Sequence, residues 1–540
     1  MSAKVLVRAS ATRLLVARRR SPRQWLALLP LALALAACSV KPEPIAVERH
    51  VERARADYAT LYKDQVPLDG PLTLHEAIAR AIKYNFDHRL ALMEGALQDS
   101  QLGLASMSML PRLAASAGYT TRSNEPASSS RSVLTGRQSL EPSVSQDMQR
   151  WTSDLSFSWN LLDFGLSYFQ ARQQADRALI AVERRRRVIN NMMKEVRSSY
   201  WRAATAQRLL PRIDPILAEA EKALAASREI EKSRLEPVLS TLEYQKSLLQ
   251  VVNQLRRLKS DLSVAKAQLA ALLNISPGTP FTLAAAEADM DPPAPLTAEA
   301  RDLEVVGLAS RPELREEAYQ ERIDRAGIYK EYVRLLPGVS LVTSLNYDSN
   351  SFLVNQAWAE AGFRATWNLF GLLSGPKAIE VAETQMEVSK ARRLALSVAV
   401  LTQINISAQQ YARSLEAYDT ARQISRIEDR IMKTVTDEGT LDAQPELERI
   451  RRSLASIAAE LERDRSYTEV QAALANLYIS VGIDPIPPSL MDEDLPGLTR
   501  TVQAALADLD KGRLPTLPHV PDTQPQEEPR DKTASPTPVS

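Results

Sequence analysis

Asn85-Phe86-Asp87-His88-Arg89, a helical stretch and then Leu110-Pro111 are answered 226 residues later by Arg311-Pro312-Glu313-Leu314-Arg315, a second helical stretch and Leu336-Pro337. No gap falls between the two pairs of anchors. Further on, Ser158-Trp159-Asn160-Leu161-Leu162 returns as Thr366-Trp367-Asn368-Leu369-Phe370. Each half then enters a helical tract that breaks at a turn and runs on to Ile275-Ser276-Pro277 or Ile483-Asp484-Pro485. A duplication on this scale fixes the architecture before any finer reading. The repeated unit is helix, strand, loop, strand, very long helix, turn, helix.

Within the unit, Thr73 is placed to cap the first helix, with Glu76 three residues on as its capping-box partner. Apolar residues follow at helical spacing, with a bend expected near Asn85, until Pro111 ends the run. The period then changes to two. Leu155, Phe157, Trp159 and Leu161 alternate with Asp154, Ser156, Ser158 and Asn160; Ala361, Phe363, Ala365, Trp367 and Leu369 alternate with Gly362, Arg364, Thr366 and Asn368. Such alternation makes strands with one apolar and one polar face. Strands of roughly ten residues have the length of tilted bilayer-crossing strands, and Trp159 and Trp367 suit an interfacial girdle. A small soluble hairpin domain would show the same strand pattern.

The tracts from Phe164 to about Ser233 and from Leu373 to about Thr436 are too long for one domain core, so they must sheathe one another as coiled coils. Arg184-Arg185-Arg186-Arg187 fans around a helix and reads as a solvated face. The formal net charge is +1, from 67 basic and 66 acidic residues, which gives no electrostatic case for a nucleic-acid partner. The four histidines show no metal-ligand spacing, and neither a phosphate loop nor a nucleophile elbow is present. An enzyme, and any metal or cofactor, therefore lacks support.

A basic stretch from Lys4 to Arg23 precedes the short apolar run Leu26–Ala37, which reads as a signal peptide rather than a spanning helix. Leu35-Ala36-Ala37-Cys38 resembles a lipobox. That resemblance implies cleavage before Cys38, the only cysteine in 540 residues, and acylation (palmitate among the chains) at this residue. Ser39 after it would imply the outer membrane. The expected organisation is a lipoprotein signal peptide over 1–37, an acylated leader over 38–70, and a first repeat over 71–285 with strands at about 112–120 and 152–162. A second repeat covers 286–490 with strands at about 338–348 and 358–369, and a Pro-rich, largely disordered tail covers 491–540.

Four strands with one apolar face cannot close a barrel, and open edges are not tolerated in lipid. Two copies give eight strands, whose interior fills with side chains; three give twelve, with room for a polar lumen. Here the chain resembles the TolC-like outer-membrane efflux proteins, in particular their lipidated branch. The likeness rests on Leu72-Thr73-Leu74-His75-Glu76-Ala77-Ile78, the two Leu-Pro helix ends, the two Trp-Asn-Leu strand ends and the turn Asp437-Glu438-Gly439-Thr440-Leu441-Asp442-Ala443-Gln444. It implies a mostly α chain with a membrane β-barrel: a homotrimer whose twelve-stranded barrel continues as an α-helical coiled-coil periplasmic tunnel. It also implies export through a periplasmic adaptor and an inner-membrane pump, with outer-membrane lipid around the barrel.

The resemblance puts gating carboxylates just past the second hairpin turn. The candidates are Asp437, Glu438, Asp442, Glu446 and Glu448, with Asp442, Glu446 and Glu448 the nearest match. Leu235, Val238, Gly439 and Leu441 are expected at an adaptor-facing tip. Pro237 stands in the first turn where the family uses glycine. Cargo stays open, with a protein-secretion outlet as one alternative and a coiled-coil structural lipoprotein without a pore as another.

Overall fold

The computed structural model describes residues 42–63, 65–139, 141–233, 237–284, 290–295, 299–438, 445–484 and 493–511. Contacts divide the chain into two units, Met1–Lys63 and Asp64–Ser540. The first contains helix α1 (Val47–Leu61), which buries none of its side chains. Cys38 and the expected signal peptide lie outside the described residues.

The second unit opens with α2 (Leu74–Tyr84) and α3 (Phe86–Met107). Thr73 Oγ1 accepts from the Glu76 amide at 3.2 Å, as a cap should. The Glu76 carboxylate does not return the bond. It accepts from Arg80 Nε at 2.8 Å instead, so only half of the expected capping box forms. The bend at Asn85 is a full break: its backbone is extended, and its Oδ1 accepts from the amides of Asp87 and His88 to start α3. Next come β1 (Arg112–Thr121), a two-residue hairpin of β2 (Ala127–Ser128) and β3 (Ser143–Val144), and β4 (Gln149–Asn160). From β4 the chain passes directly into α4 (Leu161–Ser233), 73 residues or about 110 Å long, and returns as α5 (Val238–Ser263) and α6 (Ala265–Leu272).

The second half repeats the plan. Helices α7 (Ala300–Ser310) and α8 (Pro312–Arg334) break at Arg311, the counterpart of Asn85. Here the device is Pro312, which holds the preceding residue extended and needs no amide bond at the first helical position. Then come β5 (Gly338–Asp348), β6 (Ala357–Thr366), the 68-residue α9 (Gly371–Glu438) and α10 (Pro445–Val481). The returning helices end alike. Asn274 (φ 54°) and Gly482 (φ 73°) are left-handed. Ile275 N donates to Ala270 O at 2.8 Å and Ile483 N to Tyr478 O at 3.0 Å, the six-to-one bond of a Schellman cap.

Two expectations need correction. Strands β4 and β6 end at Asn160 and Thr366, earlier than 162 and 369. Asn160 Oδ1 accepts from the amides of Leu162 and Asp163, so the apolar Leu161-Leu162 that prolonged the alternation is already helix. The segment from 491 is not uniformly a disordered tail, because it contains α11 (Leu495–Asp510). Leu495, Leu498, Val502 and Leu506 recur at helical spacing and are all buried, with α11 packed on α2.

β1, β4, β5 and β6 form one antiparallel sheet in that order. Because strands run straight into helices, the wall beside the sheet has the matching order α3–α4–α8–α9. Further away, α5 and α10 take over and the order is α5–α4–α10–α9. The core runs along these seams, with Ile78, Val196, Leu209, Leu255, Ile457 and Val470 fully enclosed. The segment between the repeats is strapped across it: Tyr418 Oη donates to Met290 O at 2.6 Å and Tyr411 Oη to Ala294 O at 2.9 Å. Among the described residues no helix is long and apolar enough to cross a membrane.

Candidate functional site: the conduit wall

The register sorts the sheet's side chains. Leu113, Phe157, Thr343 and Ala361 form one row; Ala115, Leu155, Leu345 and Ala359 the next; Trp159, Leu341 and Phe363 a third. All share one face, since a strand's side chains alternate strictly. The opposite face carries rows Arg112–Ser158–Val342–Gly362, Ala114–Ser156–Ser344–Glu360 and Ser116–Asp154–Asn346–Trp358. Ser116 bonds Asp154 across strands, and Arg150 pairs with Asp348 at 3.5 Å. Apart from Ser153 and Thr343 on the first face and Val342 and Trp358 on the second, one face suits hydrocarbon and the other water. Aromatic residues stand at both ends of the apolar face: Tyr119 packs on Trp151 at 4.8 Å at the loop end, and Trp159 on Phe164 at 5.8 Å at the helix end.

Both edges of this wall are open. β1 and β6 are the outer strands, and α3 and α9 are the outer helices beside them. On α3, Leu90, Met93, Leu97, Leu104 and Met107 are exposed and recur at steps of three, four, seven and three. On α9, Val381, Val388 and Val398 are exposed with Ala391 and Ala395 between them, again near a 3.5-residue period. Each stripe is a coiled-coil seam without a partner among the described residues. Further from the sheet the outer helix α5 shows Leu239, Leu242 and Leu249.

The inner seams carry charge bridges beside their apolar core. Across α4 and α10 run Arg208–Asp464, Arg212–Glu460 and Arg449–Glu219; across α4 and α8 run Arg322–Asp176 and Arg315–Glu183; across α8 and α9 runs Arg393–Glu321. Three of the arginine quartet belong to this system, which corrects its reading as a solvated face. Arg184 and Arg187 both reach Glu316, while Arg186 sits between Glu183 and Asp484. Burial disfavours the charged form of Arg186, but its two carboxylates outweigh that and push its pKa above the ordinary value. The Glu317 carboxyl is raised by burial, with Glu316, Asp324 and Glu321 adding to it and Arg392 opposing.

The hairpin tips lie at the far end of α4 and α9 from the sheet. Val238, the first residue of α5, is exposed there behind Pro237. Glu448 is half-buried and accepts from Arg452 Nε at 2.7 Å, one turn on. Asp437 and Glu438 end α9 and Glu446 lies in the first turn of α10; their side chains fall outside the description. Leu235, Gly439, Leu441 and Asp442 lie outside the described residues. Sequence reasoning missed the edge stripes, which look like ordinary core periodicity until the wall order shows that α3 and α9 flank it.

A family model described as outer membrane efflux protein matches residues 77–274. No curated protein sequence matches the chain significantly. Among solved structures, the Campylobacter jejuni CmeC outer membrane channel is 15% identical, covers 81% of this chain and 89% of its own, and has a TM-score of 0.57. The Neisseria gonorrhoeae MtrE outer membrane channel in its open state is 17% identical over 76% of this chain and 89% of its own, at 0.56. The outer-membrane channel OprN gives 17%, 76%, 89% and 0.55.

Proposed function

We propose that this chain, which belongs to the outer membrane efflux protein family, assembles as a homotrimer whose twelve strands close a barrel and whose helices continue it as a tube. One observation carries the reading. The two-faced sheet ends in open edge strands that continue into edge helices bearing exposed 3.5-residue stripes. The two edges differ, so the contact is head-to-tail and closes by rotation. Three copies give the smallest even barrel with a polar lumen. The apolar face then meets lipid and the polar face lines the pore. Such a conduit makes no covalent bond; it carries cargo outward across the outer membrane. A periplasmic adaptor and inner-membrane pump would engage the hairpin tips, Leu235, Val238, Gly439 and Leu441 among the contacts. Acyl chains on Cys38 would anchor the leader in the same membrane.

The experiment is planar-bilayer conductance of detergent-purified protein, with its mass by light scattering. Trimer mass with small discrete current steps is the expected result. A silent monomer that needs no detergent once its leader is removed would instead identify a structural lipoprotein. Three copies of Asp442, Glu446 and Glu448, flanked by Asp437 and Glu438, would converge at the tip as a carboxylate ring that holds it closed and favours cations. Neutralising them together should raise the single-channel conductance, and an unchanged value would remove them from the gate.

A further inference from the structure

Arg112 and Arg364 stand on the two outermost strands, both on the polar face and both at the helix end of the sheet. Arg112 opens β1, and its row runs through Ser158 and Val342 to Gly362 on β6; Arg364 lies two residues beyond Gly362, about 7 Å along the strand. Both line one hollow of about 430 Å³, together with Ser158, Asn160 and Asp163. Both are exposed, and neither forms an ion pair among the described residues. The other charges on the polar face lie further up the strands: Asp154, bonded to Ser116; Glu360; and the Arg150–Asp348 pair. Asp163 is the one carboxylate that lines the same hollow, while Glu360 stands one like-facing row, about 7 Å, from Arg112.

We infer that these residues form an anion filter at the periplasmic mouth of the barrel. The inference rests on the trimer proposed above. When β1 of one copy pairs with β6 of the next, Arg112 and Arg364 come onto neighbouring strands, and the closed barrel carries six guanidinium groups in a belt. Three Asp163 carboxylates leave that belt with a net positive charge. Twelve strands spaced about 4.8 Å apart and tilted about 40° give a ring roughly 24 Å across between backbones, which long side chains narrow further. Like charges held together in a water-filled bore draw counter-ions, and low-dielectric walls focus that field. Guanidinium in place of ammonium adds a planar fork that matches phosphate, sulfonate or carboxylate oxygens two at a time. The ligand class is therefore an anionic group on the exported molecule, met after the tube and before the exterior. The proposed tip carboxylates would favour cations, so the conduit would place filters of opposite sign in series.

The test uses full-length protein in planar bilayers, with inorganic tripolyphosphate added from the barrel side, where it reaches the belt without crossing the tip. Wild-type channels should show reversible block. R112Q/R364Q should need about tenfold or more blocker, and its reversal potential in a KCl gradient should move toward cation selectivity. R112K/R364K, which keeps the charge and loses the fork, should keep the reversal potential and weaken the block. Equal block of all three, or no block of conducting wild-type channels, overturns the filter while leaving the channel intact. Trimers that never conduct, or no trimers at all, overturn the channel reading and the filter with it.

Discussion

Gly482 leaves no room for a side chain. Its φ is 73°, and a Cβ there would sit 2.7 Å from the Arg311 amide nitrogen, a backbone atom that cannot swing aside. Gly482→Ala should therefore cost more than the roughly 1–3 kcal/mol of a strained backbone alone, read as a lower urea midpoint. Asn274, its counterpart in the first half, already holds the left-handed turn, so Asn274→Gly should be nearly neutral or slightly stabilising. A second expectation concerns Asp464, whose side chain is 0% exposed between Arg208 and Arg463. Asp464→Ala leaves two cations facing an emptied site and should cost about 3–5 kcal/mol, whereas Asp464→Asn should cost less. A third follows from His88. Burial lowers its pKa below 6.5; the nearby Arg185 charge adds to this, and the bond to the Ile82 carbonyl opposes it. The folded chain keeps the neutral ring, while the unfolded chain takes up a proton below its ordinary value. This contribution is thus complete above pH 6.5 and declines as the pH falls toward the lower folded value, by at most about 1.4 kcal/mol per pH unit. His88→Gln should flatten the thermal midpoint against pH in that window. The break at Asn85 and the cap at Thr73 were legible because both act within three residues. The roles of Arg184–Arg187 were not, since Glu316 and Asp484 lie some 130 and 300 residues away in sequence.

The sheet invites a paired substitution. Leu155 and Ser156 are neighbours in β4 on opposite faces. Leu155→Arg places a charge near mid-height on the apolar face, where lipid should exact about 2–4 kcal/mol; Ser156→Arg should fold and insert normally. Urea unfolding from lipid vesicles would separate them, and equal losses would contradict the assigned faces. Strict alternation disclosed β4 and β6, because one apolar and one polar face impose a period of two; β1 and β5 alternate too loosely to stand on pattern alone. Their ends were less legible, since Leu161-Leu162 satisfy strand and helix alike until Asn160 is seen capping the helix. The amphipathic α11 was hidden by its neighbourhood. The prolines beyond it set the composition of the whole segment, while Leu498 and Val502 are among the most buried residues of the fold.

Across the whole molecule, the proposed number of copies follows from strand count, but the proposed seam could not be read in the sequence. Nothing in the local pattern tells that α8 lies beside α4, leaving α3 and α9 outside. Leu97→Glu with Leu104→Glu, or Val388→Glu with Val398→Glu, should each abolish the trimer by light scattering while leaving helix content unchanged, because these side chains are exposed within a single chain. Trimer mass retained in both would move the interface elsewhere. The two flanks of the wall are unlike each other, which gives the gene an uncomfortable property. In the proposed trimer, a copy damaged only on its α3 flank would still offer a sound α9 flank to a healthy neighbour and would enter rings it cannot complete. In a cell making both versions equally, about one ring in eight would be free of the damaged copy. Alleles of this kind should therefore behave as dominant, suppressing export even beside an intact gene.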